Sequence, residues 1–536
     1  MKSPEQVWQD RKGQLKREWR LAFAAAFFCG LLIHLPILLS DIPNHDGLAS
    51  MYFDQNMITS GRWFLTVACG FSSYFTIPWV IGLLGLLFLA LSAVALVELL
   101  EVHDGFVISA ISGLLVAFPA LASTFAYVFT LDGYMMALLL AVLSVLLTKK
   151  YRLGFLGGAV CLAFSMGIYQ AYLPFAILLC IYSIVVFIID DKYMGSTSVQ
   201  TEERAVSRIK RVLGNALHYL YMGGLGMALY FVILQVLLRI QGKELASYQG
   251  INNLEGGGVN SQAGLLTTIG SMYRDFFAFT FKGNVLMNNV FAMTALGLLC
   301  ILFLFVLFRL CLQRKWWKSP LFFVIIALLA VGLPLATNVI RMISPELNYH
   351  LLMRYQWVLY PIVLLAFVER YRDVAGKDAW LQWGTLAAAF VLLFNYAVSD
   401  NIAYANLQKK YEKTYAYCLR LLDRIEQTEG YYQGIPIAII GVVGEEQYPV
   451  TDITQKVTAG MIGMNGDSLL YTGANYQEFM KHYLGATLNF LEPDAMKDIY
   501  YSKEYIEMET FPGKTATRVV DGVLYVKTEN TNRDAK

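Results

Sequence analysis

Three carboxylates, one histidine and one arginine follow the first long apolar run of the chain. They are Asp41, His45, Asp46, Asp54 and Arg62, in the stretch DIPNHDGLASMYFDQNMITSGRWF. A carboxylate that takes a proton from an attacking hydroxyl must lie within hydrogen-bonding reach of it, beside an electrophile with an anionic leaving group. Asp46 is the candidate for this general base, while Asp41 and Asp54 are candidates to hold an acceptor or a metal.

The same stretch also has a purely structural interpretation. Carboxylates at a membrane edge are often solvated charges or helix caps, so a single acid there would not identify a site. Interfacial or buried charges are costly and are usually paired or functional, which favours function for a group of five. From Asp46 to Gly61 the pattern predicts a short amphipathic helix. One stripe at successive four-residue steps contains Asp46, Ser50, Asp54, Ile58 and Arg62.

A second polar group precedes a later apolar run, in YHLLMRYQW. It contains His350 and Arg354, and Arg341 and Glu346 come shortly before it. An arginine at the end of a membrane span is commonly a snorkelling anchor. The alternative is a phosphate clamp, since a guanidinium stays charged and matches phosphate bidentately. The predicted position of Arg354 on the same membrane face as Asp46 favours the clamp.

A third group lies at other span ends on that face, in YVFTLDGY and IYQAYLP. Asp132 is explained equally well as the cap of the span it opens. Tyrosines at such positions are often interfacial belt residues rather than substrate contacts. Tyrosine and glutamine beside an acid are nevertheless the side chains that a sugar site uses. The candidate substrate-binding residues are therefore His45, Tyr127, Asp132, Gln170, Glu346 and His350.

The composition indicates a polytopic membrane protein of mainly α fold. The 536 residues are 57% hydrophobic and only 15% charged. Lysine plus arginine total 42 against 40 acidic residues, so no net charge argues for nucleic acid. The chain contains no Walker loop, GxSxG, HExxH or dinucleotide fingerprint, which leaves ATP-driven and soluble-cofactor chemistry unsupported. The seven cysteines form no zinc spacing or disulfide framework.

Eleven apolar runs are each long enough to cross about 30 Å of hydrocarbon. They lie near 21–40, 77–97, 105–124, 131–148, 153–170, 174–190, 217–238, 286–308, 320–340, 354–368 and 380–398. Basic residues concentrate in alternate connections, which places those connections and the N-terminus in the cytoplasm. The predicted parts are a cytoplasmic tail at 1–20, a membrane domain at 21–399 with outer loops at 41–76, 239–285 and 341–353, and an extracytoplasmic domain at 400–536.

Beyond residue 400 the pattern changes to that of a small soluble α/β domain. ANLQKKYEKTYAYCLRLLDRIEQ predicts a solvated helix, IPIAIIGVV a buried strand, and TATRVVDGVLYVKT a hairpin that turns at Asp521 and Gly522. In the outer loop at 239–285, LLTTIGSMYRDFFAFTF predicts an amphipathic helix that lies on the outer surface as a lid. Its Arg274, Asp275 and Lys282 are interpreted as a solvated face, with a role over a pyrophosphate or phosphate as the alternative.

Several short motifs together resemble the bacterial type II glucosyltransferase family, which includes O-antigen-modifying, serotype-converting membrane enzymes. They are NHDG, SGRWF, TLDGYMM, IYQAYLP, HLLMRYQW, SDNIAYANLQKKYEKTYAY and the closing DGVLYVK. The resemblance implies a GT-C-type fold, a catalytic acid in the first outer loop and a polyprenyl-phosphate sugar as donor. Asp46 matches the family's acidic loop motif by position. Family members often carry two adjacent acids there, whereas this chain has His45 and Asp46 with Asp41 nearby, so the division of labour among its acids stays open.

The mechanism that the resemblance implies is inverting displacement at the anomeric carbon by an acceptor hydroxyl. Asp46 would act as base, and Arg354, with Arg62 or Arg341, would bind the donor phosphate. The implied partners are a polyprenyl-phosphate hexose, with glucose as the sugar, a cell-surface glycan or glycopolymer acceptor, and the bilayer of the cytoplasmic membrane. Some GT-C enzymes use a divalent metal, so Mg²⁺ or Mn²⁺ is left open.

Two other functional classes compete with this interpretation. A transporter or flippase of lipid-linked saccharide would also need many spans and a polar cavity, with charges in broken helices at the midplane and inverted repeats. A non-catalytic envelope scaffold would not require acids and arginines grouped at one rim. The grouping of the acids at one predicted rim therefore favours the enzyme.

Overall fold

A computed structural model of the chain shows a mainly helical protein. The structure describes residues 2–6, 10, 13–43, 45–50, 55–70, 76–190, 202–246, 264–318, 320–344, 348–375, 379–440, 451–458, 460, 461, 464, 469, 470 and 473–528. The chain divides into two compact units. The first unit is Met1–Leu39, Asp54–Ser73 and Ile77–Asn401, and the second is Ser40–Phe53, Tyr74–Thr76 and Ile402–Lys536.

The helices from residue 17 onward are numbered here in chain order. They are α1 (Arg17–Leu38), α2 (His45–Ser50), α3 (Leu65–Ala68), α4 (Pro78–Leu100), α5 (Gly105–Ala117), α6 (Pro119–Phe125), α7 (Leu131–Lys150), α8 (Gly154–Ile168), α9 (Leu173–Asp190), α10 (Glu202–Gln241), α11 (Leu265–Lys282), α12 (Val290–Arg314), α13 (Pro320–Thr337), α14 (Ile340–Ile343), α15 (Leu359–Ala375), α16 (Ala379–Glu426), α17 (Asp452–Val457), α18 (Gly473–Tyr483), α19 (Lys497–Tyr501) and α20 (Lys503–Ile506). The strands are β1 (Pro436–Ile440), β2 (Asn489–Phe490), β3 (Thr517–Val520) and β4 (Val523–Lys527).

Within the described ranges, seven helices are long and apolar enough to cross a membrane. They are α1, α4, α7 with its preceding turn, α9, α10, α12 and α16. Helices α5 and α6 are bent by 48° and make an eighth span if they are taken together. The bend falls at Phe118, because the following Pro119 disfavours helical backbone there. Each of the eleven predicted apolar runs coincides with helix, but length and composition support seven or eight spans, so the number eleven stays a prediction.

Basic residues that were predicted to face the cytoplasm form ion pairs with acids at helix ends of the first unit. The carboxylate of Glu98, near the end of α4, forms ion pairs with Lys16 at 2.8 Å and with Lys150 at 2.9 Å. Arg370 of α15 pairs with Asp190 at the end of α9. The two pairs of Glu98 connect the residue before α1 with the ends of α4 and α7. The pair of Arg370 and Asp190 connects the last part of α15 with the end of α9.

The single helix predicted from Asp46 to Gly61 is wrong in the described residues. Helix α2 ends at Ser50, Gln55 is not helical, and a separate 3₁₀ turn follows at Ile58–Ser60. Gly61 ends this turn with φ +77°, in the left-handed region that favours glycine. The predicted stripe of acid, acid and arginine at four-residue steps therefore does not form, because the helix that would carry it is interrupted.

The second unit contains a four-stranded sheet with the order β2-β1-β4-β3. Strand β1 runs parallel to β2 and β4, while β3 and β4 form an antiparallel hairpin. Asp521 and Gly522 turn this hairpin with φ values of +47° and +78°, as a two-residue type I′ turn requires. The predicted hairpin is confirmed, and the strand predicted for IPIAIIGVV is confirmed over Pro436–Ile440, while residues 441–443 lie outside the described residues. The helix predicted beyond residue 400 is instead the continuation of α16, which runs unbroken from Ala379 to Glu426.

A buried lysine supports this sheet. Lys527 is 5% exposed, and its ammonium donates hydrogen bonds to the carbonyl oxygens of Tyr505, Ile506 and Met508 at 3.3, 3.1 and 2.9 Å. These carbonyls lie at the end of α20, where a helix leaves acceptors without helical partners and favours positive charge. The ammonium thus links the last strand to the end of a short helix.

We expect Lys527→Met to destabilise the second unit by about 3 kcal/mol, because three carbonyl acceptors, two of them in buried hydrogen bonds, would lose their donor. Lys503→Met is the matched control, since the Lys503 side chain is 81% exposed. The measurement is the temperature at which the C-terminal part of the purified full chain becomes sensitive to protease. Equal resistance of the two variants would contradict the structural role of Lys527.

Candidate functional site

Asp41, His45 and Asp46 belong to the second unit, in which α2 packs against α18. Asn475 of α18 donates from Nδ2 to the His45 carbonyl oxygen at 3.4 Å. Asp41 precedes His45 by four residues and faces the hydroxyl of Tyr483, at the end of α18. His45 Nε2 lies 3.6 Å from Asp46 Oδ1, and the Asp46 side chain is 60% exposed. The Asp46 carboxylate is therefore accessible to an incoming hydroxyl group.

The two described acids differ in their surroundings. Burial raises the pKa of the Asp41 carboxyl, and its contact with the Tyr483 hydroxyl opposes that rise. Tyr411 also lies close enough to Asp41 for the carboxylate charge to act on the Tyr411 hydroxyl. Asp41 thus contacts the Tyr483 hydroxyl, whereas the Asp46 side chain lies beside His45 and is 60% exposed. This difference favours Asp46 over Asp41 as the group that removes a proton from a substrate.

Two predicted site residues, Asp54 and Glu346, lie outside the described residues. Among the residues that are described, no three His, Cys, Asp or Glu side chains are arranged to hold a metal ion. The described acids therefore offer no coordination sphere on which to place Mg²⁺ or Mn²⁺.

Arg62 lies in an aromatic cluster of the first unit. Its Nη1 donates to the hydroxyl of Tyr134 at 3.3 Å, and its Cζ lies 4.9 Å from the ring centroid of Tyr169. The rings of Tyr134 and Tyr169 stack at 4.3 Å. A guanidinium over an aromatic face is stabilised by the ring quadrupole, and this holds Arg62 in one orientation.

Gln170 anchors the turn that carries Arg62. Its Nε2 donates to the Ser60 carbonyl oxygen at 3.0 Å and to the Tyr230 hydroxyl at 3.1 Å. Tyr230 donates in turn to the Gly61 carbonyl oxygen at 3.0 Å. A Cβ on Gly61 would lie 2.5 Å from the Tyr230 hydroxyl, so glycine is required there by space as well as by φ. Both amide hydrogens of Gln170 are thus engaged with protein, and its amide oxygen is the group left to contact a substrate.

Asp132 and Tyr127 lie on either side of the turn that opens α7. Asp132 is fully buried in the first turn of this helix, and its Oδ1 accepts the Gly133 N–H at 2.9 Å. A carboxylate at a helix N-terminus is stabilised by the unpaired N–H groups and the helix dipole. The N-cap residue of α7 is Thr130, however, and Asp132 lies inside the first turn. Tyr127 is 8% exposed and packs on Phe129 with ring centroids 6.0 Å apart.

Arg341 and Arg354 share one carboxylate, Asp275 of α11. Arg354 donates from both Nη atoms to the two Asp275 oxygens at 2.7 Å each, and Arg341 Nη2 lies 3.2 Å from Oδ1. Arg354 Nε also donates to the Tyr349 carbonyl oxygen at 3.1 Å, and its Cζ lies 3.9 Å from the Tyr349 ring centroid. The group, named here the arginine pair, has a net charge of +1.

The two arginines are not equally available to a ligand. Arg354 has a side chain 10% exposed, and each of its nitrogens already donates to protein. Arg341 is 20% exposed, and its Nε has no hydrogen-bond partner in the part of the chain that the structure describes. A buried donor without a partner costs free energy, which an anionic ligand would recover. Arg341 is therefore the more available of the two to an anionic ligand, and Arg354 is bound to Asp275. His350 lies half-buried just before Arg354.

The interpretation of Asp275 as part of a solvated face was wrong. Its side chain is 15% exposed and bound by both guanidiniums. The available signal was its spacing in α11, because Asp275 shares a helical stripe with the buried Thr268, Met272 and Phe279. An acid on the apolar stripe of an amphipathic helix indicates a buried partner of opposite charge.

A row of tyrosine rings connects the surroundings of Arg62 with the arginine pair. Tyr169, beneath Arg62, contacts Tyr172 with ring centroids 5.8 Å apart, and Tyr172 contacts Tyr355 at 6.4 Å. Tyr355 follows Arg354 directly. Ring contacts therefore run from the tyrosine beneath Arg62 to the residue next to Arg354 in the chain.

An apolar cavity of about 350 Å³ lies between α9, α12, α13 and α15. Tyr360 lines it and shares a hydrogen bond of 2.6 Å with Thr337 Oγ1. Gln356 Nε2 donates to the Thr337 carbonyl oxygen at 2.8 Å and contacts the Tyr349 hydroxyl at 2.7 Å. Since the Tyr349 ring lies on Arg354, a short polar chain leads from the cavity to the arginine pair.

The comparison with known families covers most of these groups. A family model described as Glucosyl transferase GtrII matches residues 35–368, which include the first acidic stretch, the arginine pair and the helices that line the apolar cavity. No curated protein and no solved structure matches the chain. The match covers more than half of the chain and confirms the resemblance to type II glucosyltransferases. The protein belongs to the GtrII glucosyltransferase family.

Proposed function

We propose that the protein transfers a hexose, with glucose as the sugar, from a polyprenyl-phosphate donor to a hydroxyl group of a cell-surface glycan or glycopolymer. The family assignment supports the transferase class, and the apolar helices support a multi-pass membrane protein. In this proposal the enzyme has a GT-C-type fold and works at the outer face of the cytoplasmic membrane. Its N-terminal tail is cytoplasmic, and the soluble domain at 400–536 is extracytoplasmic.

The observation that carries the lipid donor is the apolar cavity that leads to the arginine pair. A prenyl chain gains free energy wherever apolar surface leaves water, and the cavity is lined by side chains such as Leu329, Val363 and Phe367. A phosphodiester between sugar and lipid has one negative charge. The arginine pair has one positive charge in excess, because Arg341 and Arg354 share a single carboxylate. The complex would therefore be electrically neutral.

We assign the donor phosphate first to Arg341, with Arg354 held in place by Asp275 and Tyr349. Arg62 is the alternative phosphate ligand, since its guanidinium lies among the tyrosines with Nη1 3.3 Å from the Tyr134 hydroxyl and Cζ 4.9 Å from the Tyr169 ring centroid. Sugar contacts are proposed for the remaining predicted residues. These are His45, Tyr127, Asp132, Gln170, Glu346 and His350.

In the reaction, the acceptor oxygen attacks the anomeric carbon from the side opposite to the phosphate. The bond between that carbon and the phosphate oxygen breaks, and its electron pair leaves with the lipid phosphate. Asp46 takes the proton of the attacking hydroxyl, which avoids a positively charged oxygen in the product. A guanidinium bound to the phosphate stabilises the negative charge that develops on it. One displacement inverts the anomeric configuration.

A transporter or flippase of lipid-linked saccharide is the alternative function. It would move the donor intact and release no polyprenyl phosphate. The family assignment favours the transferase.

We expect Asp46→Asn to lower the transfer rate at least 100-fold, because general base catalysis commonly contributes about 10²–10⁴ in rate. The assay measures release of polyprenyl phosphate from labelled polyprenyl-phosphate glucose by the purified full chain with acceptor glycan. Asp494→Asn is the control, since the Asp494 side chain is 90% exposed. Transfer by Asp46→Asn at the wild-type rate would refute the assignment of the base.

We expect Arg341→Ala to raise the donor KM about tenfold, equivalent to about 1.4 kcal/mol, while the acceptor KM stays constant. The matched control is Arg274→Ala, an exposed arginine next to Asp275. Steady-state kinetics with the donor and the acceptor varied separately distinguish the two effects. Arg341 would lose its assigned role if the donor KM of its variant equalled that of the control.

The apolar cavity predicts a dependence on the length of the lipid. Leu329→Trp fills the cavity, so we expect it to raise the KM of a long-chain polyprenyl donor about tenfold with little effect on a short-chain prenyl donor. Leu328→Trp is the control on the same helix, because Leu328 is 66% exposed. An unchanged preference between long and short donors in Leu329→Trp would exclude this cavity as the lipid site.

A further inference from the structure

We propose that the second unit contains a carbohydrate-binding surface for the acceptor, named here the tyrosine platform. It consists of Tyr411 and Tyr415 on α16, Tyr483 at the end of α18, and Asp41. This inference rests on the proposed transfer to a glycan and adds the site that holds that glycan.

The platform is a continuous aromatic layer supported from below. The ring of Tyr411 lies 6.3 Å from that of Tyr415 and 5.8 Å from that of Tyr483. Phe479, which is fully buried, stacks on Tyr483 at 4.9 Å and contacts Tyr411 at 6.1 Å. Tyr415 is 37% exposed, and Tyr411 and Tyr483 are half-buried. Packing on a buried neighbour fixes the orientation of these rings, so a ligand that binds them costs little side-chain entropy.

Asp41 supplies the polar part of the site. Its carboxylate faces the hydroxyl of Tyr483 and lies close enough to Tyr411 to act on it electrostatically. A pyranose ring has a face of C–H groups, which packs on an aromatic ring, and an edge of hydroxyls, which donate to a carboxylate. Tyrosine rings beside a carboxylate match both parts of a sugar.

Helix α18 connects the platform with the proposed base. Tyr483 faces Asp41, and Asn475, eight residues earlier on this helix, binds the His45 carbonyl oxygen. Eight residues span about 12 Å along a helix. The segment with Asp46 is therefore attached to the same helix as the platform, within one unit. A glycan bound on the tyrosines would have its next sugar residues near the acid.

The family match gives an independent argument for the acceptor rather than the donor. The match ends at residue 368, so all three tyrosines lie outside the segment that the family shares. Donor chemistry common to the family must be performed by the shared segment. A site formed largely outside it fits the substrate that can differ from one member to another.

The test uses the full chain in nanodiscs and a set of fluorescently labelled oligosaccharides cut from bacterial envelope polysaccharides. We expect the wild type to bind at least one of them, and Tyr415→Ala and the double variant Tyr411→Ala/Tyr415→Ala to bind it at least tenfold more weakly. Tyr501→Ala is the control, because Tyr501 is 71% exposed and lies on α19. In the transfer assay the acceptor KM should rise to the same extent, with the donor KM unchanged.

Wild-type affinity in Tyr415→Ala and in a folded double variant would overturn the platform, as would a wild type that binds none of the oligosaccharides. If the tyrosines instead anchor the unit to lipid headgroups, glycan binding stays unchanged, which also overturns it. Loss of glycan binding in the variants of a wild type that transfers no sugar would leave the platform supported and refute the proposed transferase.

Discussion

Two guanidiniums that share one carboxylate are the interaction on which the account of the first unit depends. Arg354 and Arg341 both bind Asp275, among side chains that are mostly buried. Charges in such surroundings are tolerated only when they are paired. Two guanidiniums with one carboxylate leave one positive charge in excess, which an anionic ligand can neutralise. The excess positive charge lies at the end of the polar chain that begins at the apolar cavity. An amphiphilic anion satisfies both features at once, and a soluble nucleotide sugar would satisfy only one.

The second unit places the acidic stretch in a different structural context from the one its sequence position predicts. The stretch follows the first apolar helix, yet residues 40–53 pack with the C-terminal residues from 402 onward. Asn475 and Tyr483, more than 400 residues away along the chain, contact its backbone and its first carboxylate. The geometry of the proposed base thus depends on C-terminal residues of the second unit that lie outside the family match.

Much of the local structure could be predicted from sequence, because local rules decide it. The apolar runs became helices, and Asp521 with Gly522 formed a hairpin turn, since hydrophobic periodicity and left-handed turn residues act over a few positions. The helix predicted from Asp46 to Gly61 failed because Gln170 and Tyr230 hold the residues before Arg62 in a turn. The same limit explains Asp275, whose partners lie 66 and 79 positions further along the chain. Contacts of this range have no signature within a single stretch of sequence.

The central claim is a single inverting displacement at the anomeric carbon, with a lipid phosphate as the leaving group. Product analysis tests it most directly. Purified full chain would be given polyprenyl-phosphate glucose labelled with ¹³C at the anomeric carbon, together with acceptor glycan. NMR of the product then shows the configuration at the labelled carbon, and mass spectrometry counts the lipid phosphate released. The account predicts one polyprenyl phosphate for each glucose transferred, with inverted configuration. A product with retained configuration, or transfer without release of lipid phosphate, would contradict it.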